Sequence, residues 1–334
     1  MRVLFWGTPE FAAPALRALV GEGFDVVGVV TQPDRAQKRS RSTLVPSPVK
    51  RTAVEEGIPV LQPERPRGDA FLGELRVLAP DISIVVAYGH ILPQDVIDLP
   101  SLGTLNIHAS LLPRWRGAAP IQAAIRSGAT ETGVTIMRMV QALDAGPIIL
   151  QAPTPIAEDE TYGELQLRLS ELGALALVES LALISIGEAS ETAQDEALAT
   201  YAPKVEREQA RVDWGATSDD VARLIRAYDP RPAAFTTTGG SDVKLFGARA
   251  LRTVLDVAIA GGASRPASSV TEAAAAETAA PPGTVVGITD EGMLVACGDG
   301  AVRITEVQPA GRRRVPAFEW ERGRGIGVGR RLGD

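Results

Sequence analysis

The chain has 334 residues, 45% of them hydrophobic and 22% charged, with a formal net charge of −7. That length exceeds one minimal core and sets two domains as the prior; the acidic balance excludes bulk electrostatic attraction to nucleic acid but leaves room for a local basic patch. The one cysteine, Cys297, excludes an internal disulfide framework and a cysteine-based zinc site.

Residues 2–6 form a short apolar run, followed by a Gly7-Thr8-Pro9 turn and a helical stretch through Leu19. The run reads as a buried strand and lacks the length and cleavage site of a secretory signal. No apolar stretch approaches the roughly 20 residues of a membrane helix, so no membrane role is expected, and a reducing cytoplasm is the simplest compartment. A dinucleotide fingerprint would sit just after this first strand, but of its three glycines only Gly7 is present. A strand-to-helix turn is the simpler reading of that segment than a phosphate site.

Further β-branched or apolar runs fall at 26–31, 82–87, 104–108 and 134–139. Continuous rather than alternating apolar runs imply strands covered on both faces, hence a parallel α/β sheet. Thr161-x-x-Glu164 is a capping box opening a long amphipathic helix to about Leu183. Residues 186–210 are polar and acidic. A second capping pattern, Thr217-x-x-Asp220, starts a shorter helix to about Tyr228. Short β segments at 234–237, 243–246, 284–288, 293–296 and 302–307 then suggest a small barrel, with 258–282 a mobile loop between its strands. The expected fold is therefore α/β: a Rossmann-like, mostly parallel sheet domain over 1–188, a linker over 189–207, and a small OB-like β-barrel over 208–334.

The chemistry concentrates at 105–120. Asn106 and His108 lie two apart, so on a strand they share a face, and an amide donor beside an imidazole can polarise a carbonyl and move a proton. The bland alternative is a structural pair that satisfies buried backbone groups. Asp144 follows the next apolar strand in a Leu-Asp-Ala-Gly-Pro turn, where a carboxylate would orient a neighbouring imidazole. His90, the only other histidine, reads as structural or as a pocket-wall residue. Arg35, Lys38, Arg39, Arg41 and Lys50 crowd one loop, which alone reads as a solvated charged segment. An arginine- and glycine-rich tail follows Gly323, with no role assigned to it.

The ordered set Asn106-x-His108-x-Ser110-Leu111-Leu112-Pro113 with Asp144 resembles the signature of the 10-formyltetrahydrofolate-dependent formyltransferases, closest to the members that act on methionyl-tRNA. Supporting stretches are Thr31-Gln-Pro-Asp-Arg, Val45-Pro-Ser-Pro-Val-Lys, Val86-Ala-Tyr-Gly-His-Ile-Leu-Pro, Leu112-Pro-Arg-Trp-Arg-Gly-Ala-Ala-Pro-Ile-Gln, Gly133-Val-Thr-Ile-Met and Thr200-Tyr-Ala-Pro-Lys. The resemblance runs through both domains, with gaps at 64–74 and 256–282. It implies formyl transfer from 10-formyltetrahydrofolate to initiator methionyl-tRNA, with Asn106, His108 and Asp144 catalytic and no metal. It further implies a folate pocket from Val86, Ala87, Tyr88, Gly89, Ser110, Leu111, Leu112 and Pro113. Arg35, Lys38, Arg39, Arg41 and Lys50 become tRNA contacts, and the protein a cytoplasmic monomer. A formyltransferase for a small amine, or a non-catalytic tRNA-binding protein, are the alternatives.

Overall fold

The computed structural model describes residues 1–37, 40–251, 280–323 and 325–334, the side chains of 37 and 40–43 excepted. They divide into two compact units, one of residues 1–120, 131–155 and 166–203, the other of 121–130, 156–165 and 204–334. Along the chain lie β1 (Arg2–Gly7), α1 (Ala13–Gly21), β2 (Asp25–Val30), β3 (Arg35–Gln37), β4 (Ser40–Val45), α2 (Pro48–Glu55), β5 (Val60–Leu61) and α3 (Asp69–Leu78). Next come β6 (Ile82–Val86), α4 (Gln94–Ile97), β7 (Thr104–His108), α5 (Pro120–Arg126), β8 (Glu131–Arg138), β9 (Ile148–Pro155) and α6 (Tyr162–Ser185). The remainder is α7 (Ser218–Tyr228), β10 (Ala234–Thr238), β11 (Ser241–Leu251), β12 (Val285–Thr289), β13 (Gly292–Ala296), β14 (Ala301–Pro309), β15 (Val315–Pro316) and α8 (Ala317–Arg322).

The first unit is a seven-stranded sheet in the order β5-β2-β1-β6-β7-β8-β9. The strands from β5 to β7 run parallel, and β8 and β9 pair antiparallel at the far side. The mostly parallel, Rossmann-like sheet agrees with the continuous apolar runs: every residue of β6 is buried, as are the last five of β1. On one face Trp6 meets Phe71 and Tyr88 edge-on, with ring centroids 6.0 and 5.3 Å apart, inside a core that includes Leu72, Leu75 and Val96. At α6, a Cβ on Gly173 would stand 2.9 Å from Ile107 of β7, so the backbone of that helix lies close against the sheet.

Several elements escaped the sequence patterns, β9 and the β3–β4 pair among them, each for a physical reason. β9 carries Pro153 and Pro155, which cannot donate to a ladder and are tolerated because β9 is the edge strand. In the basic stretch, residues 35–37 and 40–45 form β3 and β4, which pair antiparallel with Arg35 opposite Val45, and α2 follows. Ser47 caps α2 by accepting from the Lys50 N–H at 3.0 Å, with Pro48 at the first helical position.

The second unit carries an antiparallel, barrel-like sheet in the order β10-β11-β14-β13-β12, with β15 on β14. Among the described residues no ladder joins β12 to β10. Thr217 accepts from the Asp220 N–H at 3.1 Å and caps α7, which packs on β11. The capping box at 161–164 also forms, with Thr161 N–H donating to Glu164 Oε2 at 2.9 Å. The arginine-rich tail is bound along 283–285: Arg330 O accepts from Val285 N and Leu332 N donates to Gly283 O, both at 2.8 Å. The expected loop at 258–282 lies outside the described residues except for 280–282.

The close approach at Gly173 sets a stability prediction. Gly173→Val is expected to overpack the α6–β7 contact and to cost about 1–3 kcal/mol. The check is a guanidinium titration, with a lowered midpoint at an unchanged slope.

Candidate active site

Chain connectivity reverses direction across β1, with β2 on one side and β6 on the other. In open α/β sheets the crevice beyond the carboxyl ends of strands at such a point receives ligands. Gly7 pairs with Val86 and Val85 with Asn106, so the segments leaving β1, β6 and β7 emerge along one edge. Those segments hold Thr8, residues 86–89 and residues 109–113. At Gly7 a Cβ would lie 2.8 Å from the Ala12 Cβ, so glycine there serves the tight strand-to-helix turn.

Asn106 and His108 share one face of β7, and Ile107 between them points toward Gly173 of α6. Asn106 is half-buried, and its amide makes no hydrogen bond among the described residues. His108 is buried, and its Nε2 lies 3.0 Å from the Trp115 carbonyl oxygen. A carbonyl only accepts, so Nε2 carries the proton and donates. Nδ1 is left with its lone pair, and Asp144 Oδ2 faces it at 3.6 Å. That carboxylate oxygen also accepts the Gly117 N–H at 2.8 Å.

Burial pushes the His108 pKa below the ordinary imidazole value; the Asp144 carboxylate and the Trp115 carbonyl pull the other way without overturning it. The resting ring is therefore neutral, and Asp144 is placed to stabilise the charged form when a proton arrives. An unfolded chain takes up this proton first. The contribution of His108 to stability is thus present above about pH 6.5 and is lost as pH falls toward the lower native value.

Residues 110–113 form a turn pinned from β8 and β9. Thr135 Oγ1 donates to Ser110 O at 2.6 Å and accepts from Leu112 N at 3.1 Å. Gln151 Nε2 donates to Leu112 O at 2.8 Å, and Ser110 Oγ donates to Arg114 O at 2.6 Å. Leu111 rests on β8 where a side chain at Gly133 would meet it, at 2.6 Å.

Val86 to Gly89 form a second wall. The Tyr88 ring is buried in the core, its hydroxyl without a partner among the described residues and its pKa pushed up to about 12 by burial. The Tyr88 carbonyl accepts from Thr8 Oγ1 and from Gln32 Nε2, each at 3.0 Å. Gly89 has φ +89°, and a Cβ there would meet Gln32 at 2.5 Å. Ala87, Trp115 and Asp144 hold positive φ values of 47°, 64° and 49° without being glycine. Non-glycine residues persist there only when surrounding structure holds them. His90 is exposed, with its ring 5.6 Å from that of Tyr88.

The basic residues divide. Arg35 is exposed and donates to Gln32 Oε1. Lys50 is only 25% exposed, and its ammonium donates to Asp34 at 2.6 Å and to Gln62 at 2.8 Å, so two of its three N–H donors serve the protein itself. The Lys50 ammonium and Gln62 hold the Asp34 carboxyl below its usual range. Lys38, Arg39 and the side chain of Arg41 lie outside the described residues. Among the described residues no group of three or more His, Cys, Asp and Glu side chains is placed to hold a metal ion.

Sequence reasoning passed over Thr8, Gln32, Thr135, Gln151 and Gln194. A polar residue inside an apolar strand run, as at Thr135 and Gln151, was the available signal. Gln194 carried none.

Residues 1–181 match the formyl transferase family, and residues 204–325 match the formyl transferase C-terminal domain. The chain belongs to the formyl transferase family. It is 44% identical over 313 residues to the methionyl-tRNA formyltransferase of Marinobacter nauticus, covering 94% of this chain and 93% of that one. Against the methionyl-tRNA formyltransferase of Methylococcus capsulatus the identity is 43% over 333 residues, the full length of both. Among solved structures, HypX from Aquifex aeolicus in complex with tetrahydrofolic acid shares the fold, with a TM-score of 0.64 at 21% identity over 98% of this chain. The chain spans about half the length of HypX, 48%. WlaRD, a sugar 3N-formyltransferase, gives a TM-score of 0.62 at 17% identity, covering 94% of this chain and 99% of that one. The cluster at 86–89, 106–113 and 144 falls wholly within the matched N-terminal segment.

Thr135→Val keeps the shape and removes the hydroxyl, leaving Ser110 O and Leu112 N without this partner. A loss of about 1–3 kcal/mol is expected, read by urea titration. Parent-like stability would show that the turn does not depend on Thr135.

Proposed function

We propose that the chain transfers the formyl group of 10-formyltetrahydrofolate to the free amino group of methionine esterified to initiator tRNA, as a cytoplasmic monomer. The observation that carries this reading is identity of 43–45% to proteins named methionyl-tRNA formyltransferase over nearly the whole chain. The buried His108–Asp144 pair beside Asn106 supplies chemistry that suits it.

The attacking amine must be neutral, and an ordinary α-amino pKa of about 8 leaves a minority neutral at pH 7; esterification lowers that value further. As nitrogen bonds to the formyl carbon, the carbonyl oxygen becomes an oxyanion, and Asn106 donates its amide N–H to it. A preorganised donor of this kind contributes about 3 kcal/mol in acyl transfer. His108 accepts the proton of the new ammonium at Nδ1, the ring atom not committed to Trp115. The imidazolium lies against Asp144 and adds positive charge beside the oxyanion. It then delivers the proton to the folate nitrogen as the carbon–nitrogen bond to folate breaks. Tetrahydrofolate and formylmethionyl-tRNA leave, and no metal enters the balance.

In this reading residues 1–188 catalyse, 189–207 connect, and 208–334 bind tRNA. Residues Val86 to Gly89 and Ser110 to Pro113 line the folate subsite, with Ser110 and Leu112 held by Thr135 and Leu112 also by Gln151. Arg35, Lys38, Arg39, Arg41 and Lys50 serve the acceptor end from the β3–β4 segment and its base, through phosphate or base contacts that fall with salt.

The test supplies 10-formyltetrahydrofolate with charged initiator tRNA, or with free amines and amino sugars. Formylation of the tRNA is expected, with Asn106→Ala and Asp144→Ala each lowering the single-turnover rate by about a hundredfold or more while tRNA affinity holds. Formylation of a free amine or sugar alone would overturn the tRNA assignment. Unchanged rates in both variants would overturn the residue roles.

A further inference from the structure

Residues 182–203 lie between the two segments that match the family. From sequence, most of that stretch read as connecting chain. In the structure, side chains and backbone from 194–202 reach both loops of the candidate site.

The first loop carries the Trp115 carbonyl that accepts the hydrogen bond from His108 Nε2. Its backbone is laced to residues 200–202: Arg116 N donates to Thr200 O at 2.8 Å, and Ala202 N donates to Arg116 O at 2.7 Å. Trp115 N donates to Thr200 Oγ1 at 2.9 Å. Gly117, at φ +116°, passes so close that a Cβ would stand 2.7 Å from Ala202 O. The second loop carries Asp144, whose backbone holds a left-handed conformation at φ 49°. Gln194 Nε2 donates to Asp144 O at 2.8 Å and to Gly146 O at 2.7 Å.

The two supports meet at Arg116, which is 2% exposed. Its guanidinium donates to Gln194 Oε1 from Nε at 3.1 Å and from Nη2 at 2.8 Å. It also pairs in a fork with Glu196, Nη1 to Oε2 at 2.9 Å and Nη2 to Oε1 at 2.8 Å. A guanidinium only donates and a backbone carbonyl only accepts, so these partners fix which way the Gln194 amide points. Every polar atom of that amide is committed to the two loops.

We propose that Gln194 is a positioning residue for formyl transfer: its amide, held by Arg116, fixes the Asp144 turn against His108. The proposal rests on the formyl-transfer reading above. Gln194 touches no reacting atom. It acts through Asp144, whose carboxylate must face His108 Nδ1 when that nitrogen is protonated. A displacement of about 1 Å in such a group is enough to cost a hundredfold in rate.

A variant that separates holding from folding is Gln194→Glu. Its carboxylate still accepts from Arg116, so the buried guanidinium keeps its partner, but it has no N–H to donate to Asp144 O and Gly146 O. With charged initiator tRNA and 10-formyltetrahydrofolate, Gln194→Glu is expected to lower kcat about 10- to 100-fold, with KM for both substrates within about twofold. In an Asp144→Ala background the same change is expected to cost nothing further, because the group it positions is gone. Parent-like kcat in Gln194→Glu would overturn the proposal. So would a loss of the same size in both backgrounds, which marks a general structural effect. Gln194→Asn, which restores a donor on a shorter arm, provides a second reading if Gln194→Glu does not fold; its kcat is expected to fall with KM unchanged, and parent-like kcat would overturn the proposal. An inactive parent protein would instead count against the formyl-transfer reading itself.

Discussion

The hydrogen bond from His108 Nε2 to the Trp115 carbonyl is the constraint around which the site is organised. In a buried position it settles which ring nitrogen holds the resting proton and which exchanges one. With Nε2 committed, only Nδ1 can take up charge, and the protein places one carboxylate, Asp144, before it. Burial keeps the resting ring neutral, while Asp144 makes the protonated ring tolerable during a reaction. A solvated histidine would hold neither state so selectively.

That constraint carries geometric costs. The Trp115 carbonyl and the Asp144 carboxylate sit on separate loops, each anchored by a non-glycine residue in a left-handed conformation. Side chains in that region are disfavoured unless neighbours hold them. Here the neighbours are polar and directional: Thr135 and Gln151 hold the turn after β7, and residues 194–202 hold the two loops. The apolar sheet supplies a rigid edge, and the hydrogen bonds supply the aim. Tyr88 shows the same division, its ring packed edge-to-face with Trp6 while its carbonyl is held by Thr8 and Gln32.

The sequence disclosed what periodicity and capping encode. Continuous apolar runs marked β1, β2, β6, β7 and β8, and the Thr161 and Thr217 caps marked α6 and α7. Asn106 and His108 were legible because strand alternation alone puts them on one face. Asp144 was legible as a turn residue after the following strand. The pairing of β3 and β4 was not, because arginines and serines mask the alternation and an isolated two-stranded ladder leaves no buried face to read. β9 was hidden by prolines that only an edge strand accepts. The bonds of Gln194 to residues about fifty positions away are invisible to local pattern, since a glutamine in a polar stretch looks solvated. Lys50 read as a free cation for the same reason, although Asp34 and Gln62 claim two of its donors.

The most direct measurement uses the fact that the chain has only two histidines, so ring-nitrogen NMR with a His90→Asn variant isolates the signal of His108. The account predicts a proton on Nε2 and a bare Nδ1 at neutral pH. It predicts that Nδ1 is protonated only below the ordinary imidazole value of about 6.5, and lower still in Asp144→Asn, where the opposing carboxylate charge is gone. A resting proton on Nδ1, or titration of His108 at or above that ordinary value, would contradict it.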